Sequence, residues 1–175
     1  MMFNSESAKG LRVQQEYIVS FLNDFVPVFF QECIISQGGK IIFFNSSDNV
    51  CSDDSIIRKS CYNLYFDKTL FIFQDTFVHH VVHDIGHMVD DLAGDYLALD
   101  GLKKSLSESN FFVKLAKDCV KDYSFLPDEK QEYQRRELFV NCFEKYCDSR
   151  SSFLKRVAFA FWHPAMSEVF NQLCG

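Results

Sequence analysis

The sequence predicts an α+β domain, on three observations. Helix-period apolar spacing opens the chain, short aromatic and β-branched runs follow before position 74, and helical patterns alone fill the rest. At 175 residues the expectation is one domain spanning 1–175. A hydrophobic content of 47% with 20 Phe provides for a packed core rather than a disordered chain.

Taken in order, Ile18, Phe21, Leu22 and Phe25 recur at helical spacing and predict an amphipathic helix over 11–26, which Pro27 should bend or end. Gly38-Gly39 predicts a turn, and Lys40–Phe44 a strand. Residues 45–60 are rich in Ser, Asp and Asn and read as a loop. The runs 62–66 and 69–73, separated by Asp67-Lys68, predict a hairpin or closely coupled strands. Asp75 or Thr76 should cap a following helix that stops at Gly94, where glycine is common just past a C-terminus. Residues 111–120 predict another helix. Pro127-Asp128-Glu129 suits a first helical turn, leading a helix to about Cys147, and 164–173 reads as the last helix.

Several partners are disfavoured. Net charge is −6 with scattered basic residues, so no phosphate-binding stripe marks a nucleic-acid ligand. No apolar run approaches the roughly 20 residues that span a bilayer. Residues 1–10 lack the basic and apolar regions of a Sec signal peptide. The 7 cysteines contain no C-x-x-C pair, and an odd count suits free thiols in a reducing compartment. A cytoplasmic protein, or an effector delivered directly into a host cell, is expected, acting as a monomer.

One stretch carries chemistry: Val82-His83-Asp84-Ile85-Gly86-His87-Met88-Val89-Asp90-Asp91. Residues four apart share a helix face, so His83 and His87 could present two ring nitrogens to one Zn²⁺. The carboxylate after the first histidine could handle the proton of a water, as in H-E-x-x-H metalloproteases, although here it is Asp84. A third ligand is needed if a position is to stay open for water. Glu137 lies about fifty residues further on, flanked one turn away by Tyr133 and Asn141, beside the apolar stripe of Phe139, Phe143 and Tyr146. By themselves two histidines on a helix face are more often packed or solvated than metal-bound.

From position 70 onward the chain resembles the zinc metalloprotease family that includes the anthrax lethal factor catalytic domain and the clostridial Pro-Pro endopeptidases. That family carries H-E-x-G-H-x-x-D-D, often followed by A-G, and here the run is H-D-I-G-H-M-V-D-D-L-A-G. Its second motif centres on a zinc-ligating Glu in an E-x-E-F-F-A-E-A-F-like helix, and R-R-E-L-F-V-N-C-F (Arg135 to Phe143) matches the Glu and both phenylalanines. A late proline before a terminal helix also recurs, at Pro164, whereas residues 1–60 match nothing in the family.

The resemblance implies a compact zincin-like fold, a zinc ion on His83, His87 and Glu137, and a protein or peptide substrate held as an extended strand by an edge hairpin within 62–73. It implies peptide-bond hydrolysis, in the manner of secreted toxins and proteases, with Asp84 at the position of the general base. The family's oxyanion-supporting Tyr, seven residues before the ligand Glu, is Lys130 here, leaving Tyr133 or Tyr123 as substitutes. Asp90 and Asp91 either accept an N–H from a ligating histidine or form a solvated helix end, and Asn141 stands with them around the ligands. His79 and His80 read as surface or supporting residues.

Two other readings use the same residues. A non-catalytic zinc domain would keep the three ligands for stability or partner binding. An HD-type metal phosphohydrolase would need a histidine from an earlier helix, and the chain has none before His79.

Overall fold

The computed structural model describes residues 6–7, 12–44, 64–73, 78–97 and 105–174. The elements in chain order are β1 (Glu6–Ser7), α1 (Arg12–Phe25), α2 (Val28–Ser36), β2 (Lys40–Phe44), β3 (Leu64–Phe66), β4 (Thr69–Phe73), α3 (Val78–Leu97), α4 (Asn110–Cys119), α5 (Asp128–Ser149), α6 (Phe153–Trp162) and α7 (Pro164–Cys174). Single 3₁₀ turns at Leu106–Glu108 and Tyr123–Phe125 flank α4. Helix predominates beside one small mixed sheet, in keeping with α+β. The expected loop 45–60 and the Asp75 or Thr76 cap lie outside the described residues.

Pro27 ends α1, and the chain resumes at once as α2, the two axes meeting at 113°. Gln31 Nε2 donates to Val26 O at 2.7 Å, so the break leaves this carbonyl satisfied. The Gly38-Gly39 turn closes α2. Gly38 N donates to Ile35 O at 3.0 Å and Gly39 N to Ile34 O at 2.7 Å, with Gly38 at φ 77°. This pair of bonds caps the last carbonyls of the helix and needs a left-handed residue, which glycine adopts without a Cβ penalty.

The sheet order is β1-β2-β4-β3. β2 pairs in parallel with both β1 and β4, while β3 and β4 form an antiparallel hairpin with β3 outermost. Asp67 (φ 45°) and Lys68 (φ 60°) both lie in the left-handed region, the combination a two-residue turn uses to match strand twist. Lys68 then serves as a fastener: its carbonyl accepts from Lys40 N at 2.9 Å and its Nζ donates to Gln37 O at 3.2 Å. The register sets Ile41 opposite Leu70 and Phe43 opposite Ile72, all four buried, so one face of the sheet is the core face.

Helix α3 is longer than its sequence suggests. It continues through Gly94 to Leu97, with Gly94 buried inside it. Glycine stops a helix only where the chain needs a left-handed turn, and burial of Leu92 and Ala93 draws this helix on. Ser109 and Ser152 cap α4 and α6, their Oγ atoms accepting from Phe112 N (3.4 Å) and Lys155 N (3.2 Å).

The centre is aromatic. Phe30, Phe139, Phe143 and Phe170 are fully buried, and Tyr146 stacks on Phe170 at 4.7 Å. α3 lies across α5 at Gly86, where an added Cβ would fall 3.0 Å from Val140 Cγ1 and 3.3 Å from Phe143 Cδ1. That close approach decides where α5 presents its residues to α3. The described cysteines Cys33, Cys119, Cys142, Cys147 and Cys174 are free, and burial pushes Cys33 and Cys142 up to about 11.

Candidate metal centre

His83 and His87 project from the same face of α3, with ring centroids 5.2 Å apart and planes at 81°. Glu137 on α5 meets them from across the helix pair. Its Oε2 stands 3.7 Å from His83 Nε2 and its Oε1 3.5 Å from His87 Nε2. Each of the three residues offers a ligand atom within 4.8 Å of the others. Zinc bonds of 2.0–2.2 Å at tetrahedral angles separate neighbouring ligand atoms by roughly 3.4 Å. The two measured nitrogen–oxygen separations sit close to that, and two imidazoles with a carboxylate are a borderline donor set that suits zinc. The three residues therefore form a cluster able to hold a metal ion.

The protonation state of His87 suits the role. Burial, then the proximity of His83 and of Arg136, lowers His87 from its usual value to about 4. His87 is therefore neutral near pH 7, the form that ligates. The three side chains are only partly exposed, at 31%, 21% and 25% for His83, His87 and Glu137, which leaves an approach from solvent.

Glu144, two turns beyond Glu137 on α5, places Oε2 3.7 Å from the other ring nitrogen of His83, Nδ1. A carboxylate on that nitrogen favours the tautomer that leaves Nε2 free. Glu144 went unnoticed in the sequence, although its i+7 spacing from Glu137 on one helix face was a usable signal.

The acidic pair follows neither of the two readings, histidine acceptor or solvated helix end. Asp90 is fully buried, but its oxygens accept from Ser107 N at 2.7 Å and Ser107 Oγ at 2.8 Å, not from a histidine ring. Burial raises its carboxyl to about 7, against the pull of those two bonds and of Arg136. Asp91 holds Arg136 Nη2 at 3.0 and 3.2 Å, and Arg136 Nε lies 3.7 Å from Asp90 Oδ2. The pair thus ties α3, beyond His87, to the 3₁₀ turn and to α5 one residue before Glu137.

Asp84 is half-buried beside His83 on α3 and is not a member of the three-donor cluster. Tyr133 and Asn141 occupy α5 one turn to either side of Glu137, and both are exposed. Tyr123 is buried, with its hydroxyl accepting from Arg135 Nη1 at 2.6 Å. Lys130, at the family's tyrosine position, is exposed. His80 is half-buried on α3. No family model and no curated protein matches this chain. The chemistry rests on the donor set.

Proposed function

We propose that this chain is a zinc-dependent endopeptidase with a zincin-like arrangement of His83, His87 and Glu137. The observation that carries the reading is the approach of Glu137 to both histidine nitrogens at 3.7 and 3.5 Å, from a helix far away in sequence. When bound, zinc supplies a Lewis acid that acidifies water and polarises a carbonyl.

The residues of the chain do the rest. His87 presents a neutral imidazole, and Glu144 stands near His83 Nδ1, where it can orient the ring. Asp84 takes the proton of the attacking water and delivers it to the leaving amine, so that water adds across the peptide bond. Tyr133 is the exposed phenol one turn from Glu137, available to donate to the developing oxyanion, whereas Tyr123 is buried. The outer strand β3 offers an edge on which a substrate peptide extends. The free thiols among the described residues support work in a reducing compartment, as a cytoplasmic enzyme or a delivered effector.

Asp84 favours a second reading. Its carboxylate is set back by one carbon–carbon bond, about 1.5 Å, relative to Glu, and proton abstraction needs hydrogen-bond reach. A zinc domain that binds a partner without cleaving it would tolerate this shortening. Metal analysis of purified protein, run beside cleavage of a broad peptide library with Asp84→Ala as control, separates the two. Cleavage lost in Asp84→Ala at full zinc content supports the protease. Full zinc content without any cleavage supports the binding domain.

A further inference from the structure

Helix α6 wears its apolar side outward. Phe153, Phe161 and Trp162 are exposed at 74%, 73% and 73%, and Leu154 and Val157 at 78% and 51%. At 100° per residue these five positions and Ala158 fall on one continuous arc of about half the helix circumference. Phe159 alone turns inward, 5.7 Å from Tyr146. Burial of a large apolar side chain is worth roughly 1.5–3 kcal/mol, so five such side chains left in water on one ten-residue helix mark an interaction surface.

Its charge says which kind. α6 contains Lys155 and Arg156 and no acid, in a chain of net charge −6. On the helix wheel Lys155 stands about 20° beyond one edge of the apolar arc and Arg156 about 60° beyond the other, on either side of the inward Phe159. Lys155 also meets Asp148 at 2.8 Å, with both side chains more than half exposed, a pair of little strength. Arg156 shares with Arg150 a cavity of about 670 Å³ lined from α1, α5, α6 and α7, by Val157, Ser149, Asn171 and one acid, Asp24, among others.

We infer that α6 is an interfacial anchor that lays its aromatic arc into an anionic lipid surface, with Lys155, Arg156 and Arg150 reaching headgroup phosphates. Ten residues extend about 15 Å, half a bilayer core, so the helix lies in the surface rather than spanning it. Aromatic side chains beneath a border of basic ones are what that boundary selects. A second copy packed face to face would instead set these cations against their own equivalents. The inference is independent of the metal centre.

Trp162 is the only tryptophan of the chain and reports directly on this face. The full chain is titrated with vesicles of phosphatidylcholine alone, and of phosphatidylcholine with phosphatidylserine, while emission and acrylamide quenching are followed. The expected result is a blue shift and loss of quenching with the anionic vesicles only, reversed by salt. Phe161→Ser, an exposed change with the fold checked by circular dichroism, weakens partition about tenfold, and Arg156→Gln about fivefold. Unchanged emission with anionic vesicles overturns the inference, as does equal binding to neutral ones. A blue shift that follows protein concentration without lipid, with a dimer in sedimentation, also overturns it and assigns the face to a second copy.

Discussion

Gly86→Ala tests how the candidate metal centre is held together. The new Cβ would meet Val140 Cγ1 at 3.0 Å, Phe143 Cδ1 at 3.3 Å and Val140 Cα at 3.4 Å. None of these atoms moves freely. Valine in a helix has one strongly preferred rotamer, and Phe143 is boxed by Phe30 at 5.5 Å and Phe139 at 6.2 Å. Relief therefore comes from α5 moving away from α3 by a few tenths of an ångström. Replacing a mid-helix glycine gains about 0.5–1 kcal/mol in propensity, and overpacking costs about 1–3 kcal/mol. The net is a loss of about 1 kcal/mol, or some 2–4 °C in Tm for a chain of this length.

The greater effect falls on the ligands, since Glu137 is one turn from Val140 and moves with it. Sites tolerate displacements of about 0.5 Å, and a zinc affinity lowered about tenfold is expected, on the scale of losses from disturbed ligand support. Thermal denaturation of the metal-free protein gives the first quantity and calorimetric zinc titration the second. Zinc should then stabilise Gly86→Ala by about 1.4 kcal/mol less than wild type at the same excess of metal. A variant that melts higher and binds zinc unchanged would refute the reasoning, because α3 and α5 would then have room to spare.

Three further outcomes are expected. Wild type should bind one equivalent of zinc, and His83→Ala or Glu137→Gln should each lower the affinity at least tenfold; unchanged metal content in Glu137→Gln would remove it from the ligand set. Asp84→Glu should raise kcat on a cleaved peptide, toward the 10²- to 10⁴-fold that a well-placed general base contributes, with zinc affinity nearly constant; a fall in kcat would mean the pocket is shaped to the shorter acid. In the metal-free protein His87 should titrate near 4, followed by its imidazole proton NMR signals. Its folded form binds the proton less readily than the unfolded chain does. The stability His87 contributes is therefore full above the unfolded value of about 6.5 and declines as pH falls from there toward 4. A midpoint near 6.5 in the folded protein would contradict the burial described for it.

What the sequence revealed, and what it hid, follows from the range over which each signal acts. The hairpin around Asp67-Lys68, the break at Pro27 and the helix begun at Pro127 are set by neighbouring residues, and the structure has each of them. His83 and His87 were legible because helix periodicity alone puts them together. Glu137 was legible chiefly through the resemblance of Arg135–Phe143 to a zinc-ligating motif, and only modestly by its place beside Phe139 and Phe143, which the structure buries. Helix α2 was not read because Val28-Phe29-Phe30 and Ile34-Ile35 make it apolar almost all round, which blurs the period. In the sequence Asp90 and Asp91 stay open between a histidine acceptor and a solvated helix end, and Asp90's partner Ser107, 17 residues on, is one that no local pattern addresses. The part played by Gly86 likewise needed the opposing helix to be seen.

The division of the three donors between α3 and α5 also sets how fast an ion could leave. Two ligands ride on one helix and the third on another, clamped by the Gly86 contact and by Arg136 with Asp90 and Asp91. With Phe139 and Phe143 locked into the core behind Glu137, the helices part only in an opening that disrupts that core. Such openings draw on much of the global stability and are rare. Escape that waited on helix separation would be slow, so exchange on ordinary timescales has to proceed through rotation of the partly exposed side chains themselves, one ligand at a time. Retention of the ion would thus be a property of rotamers at the surface, resting on a frame that stays shut.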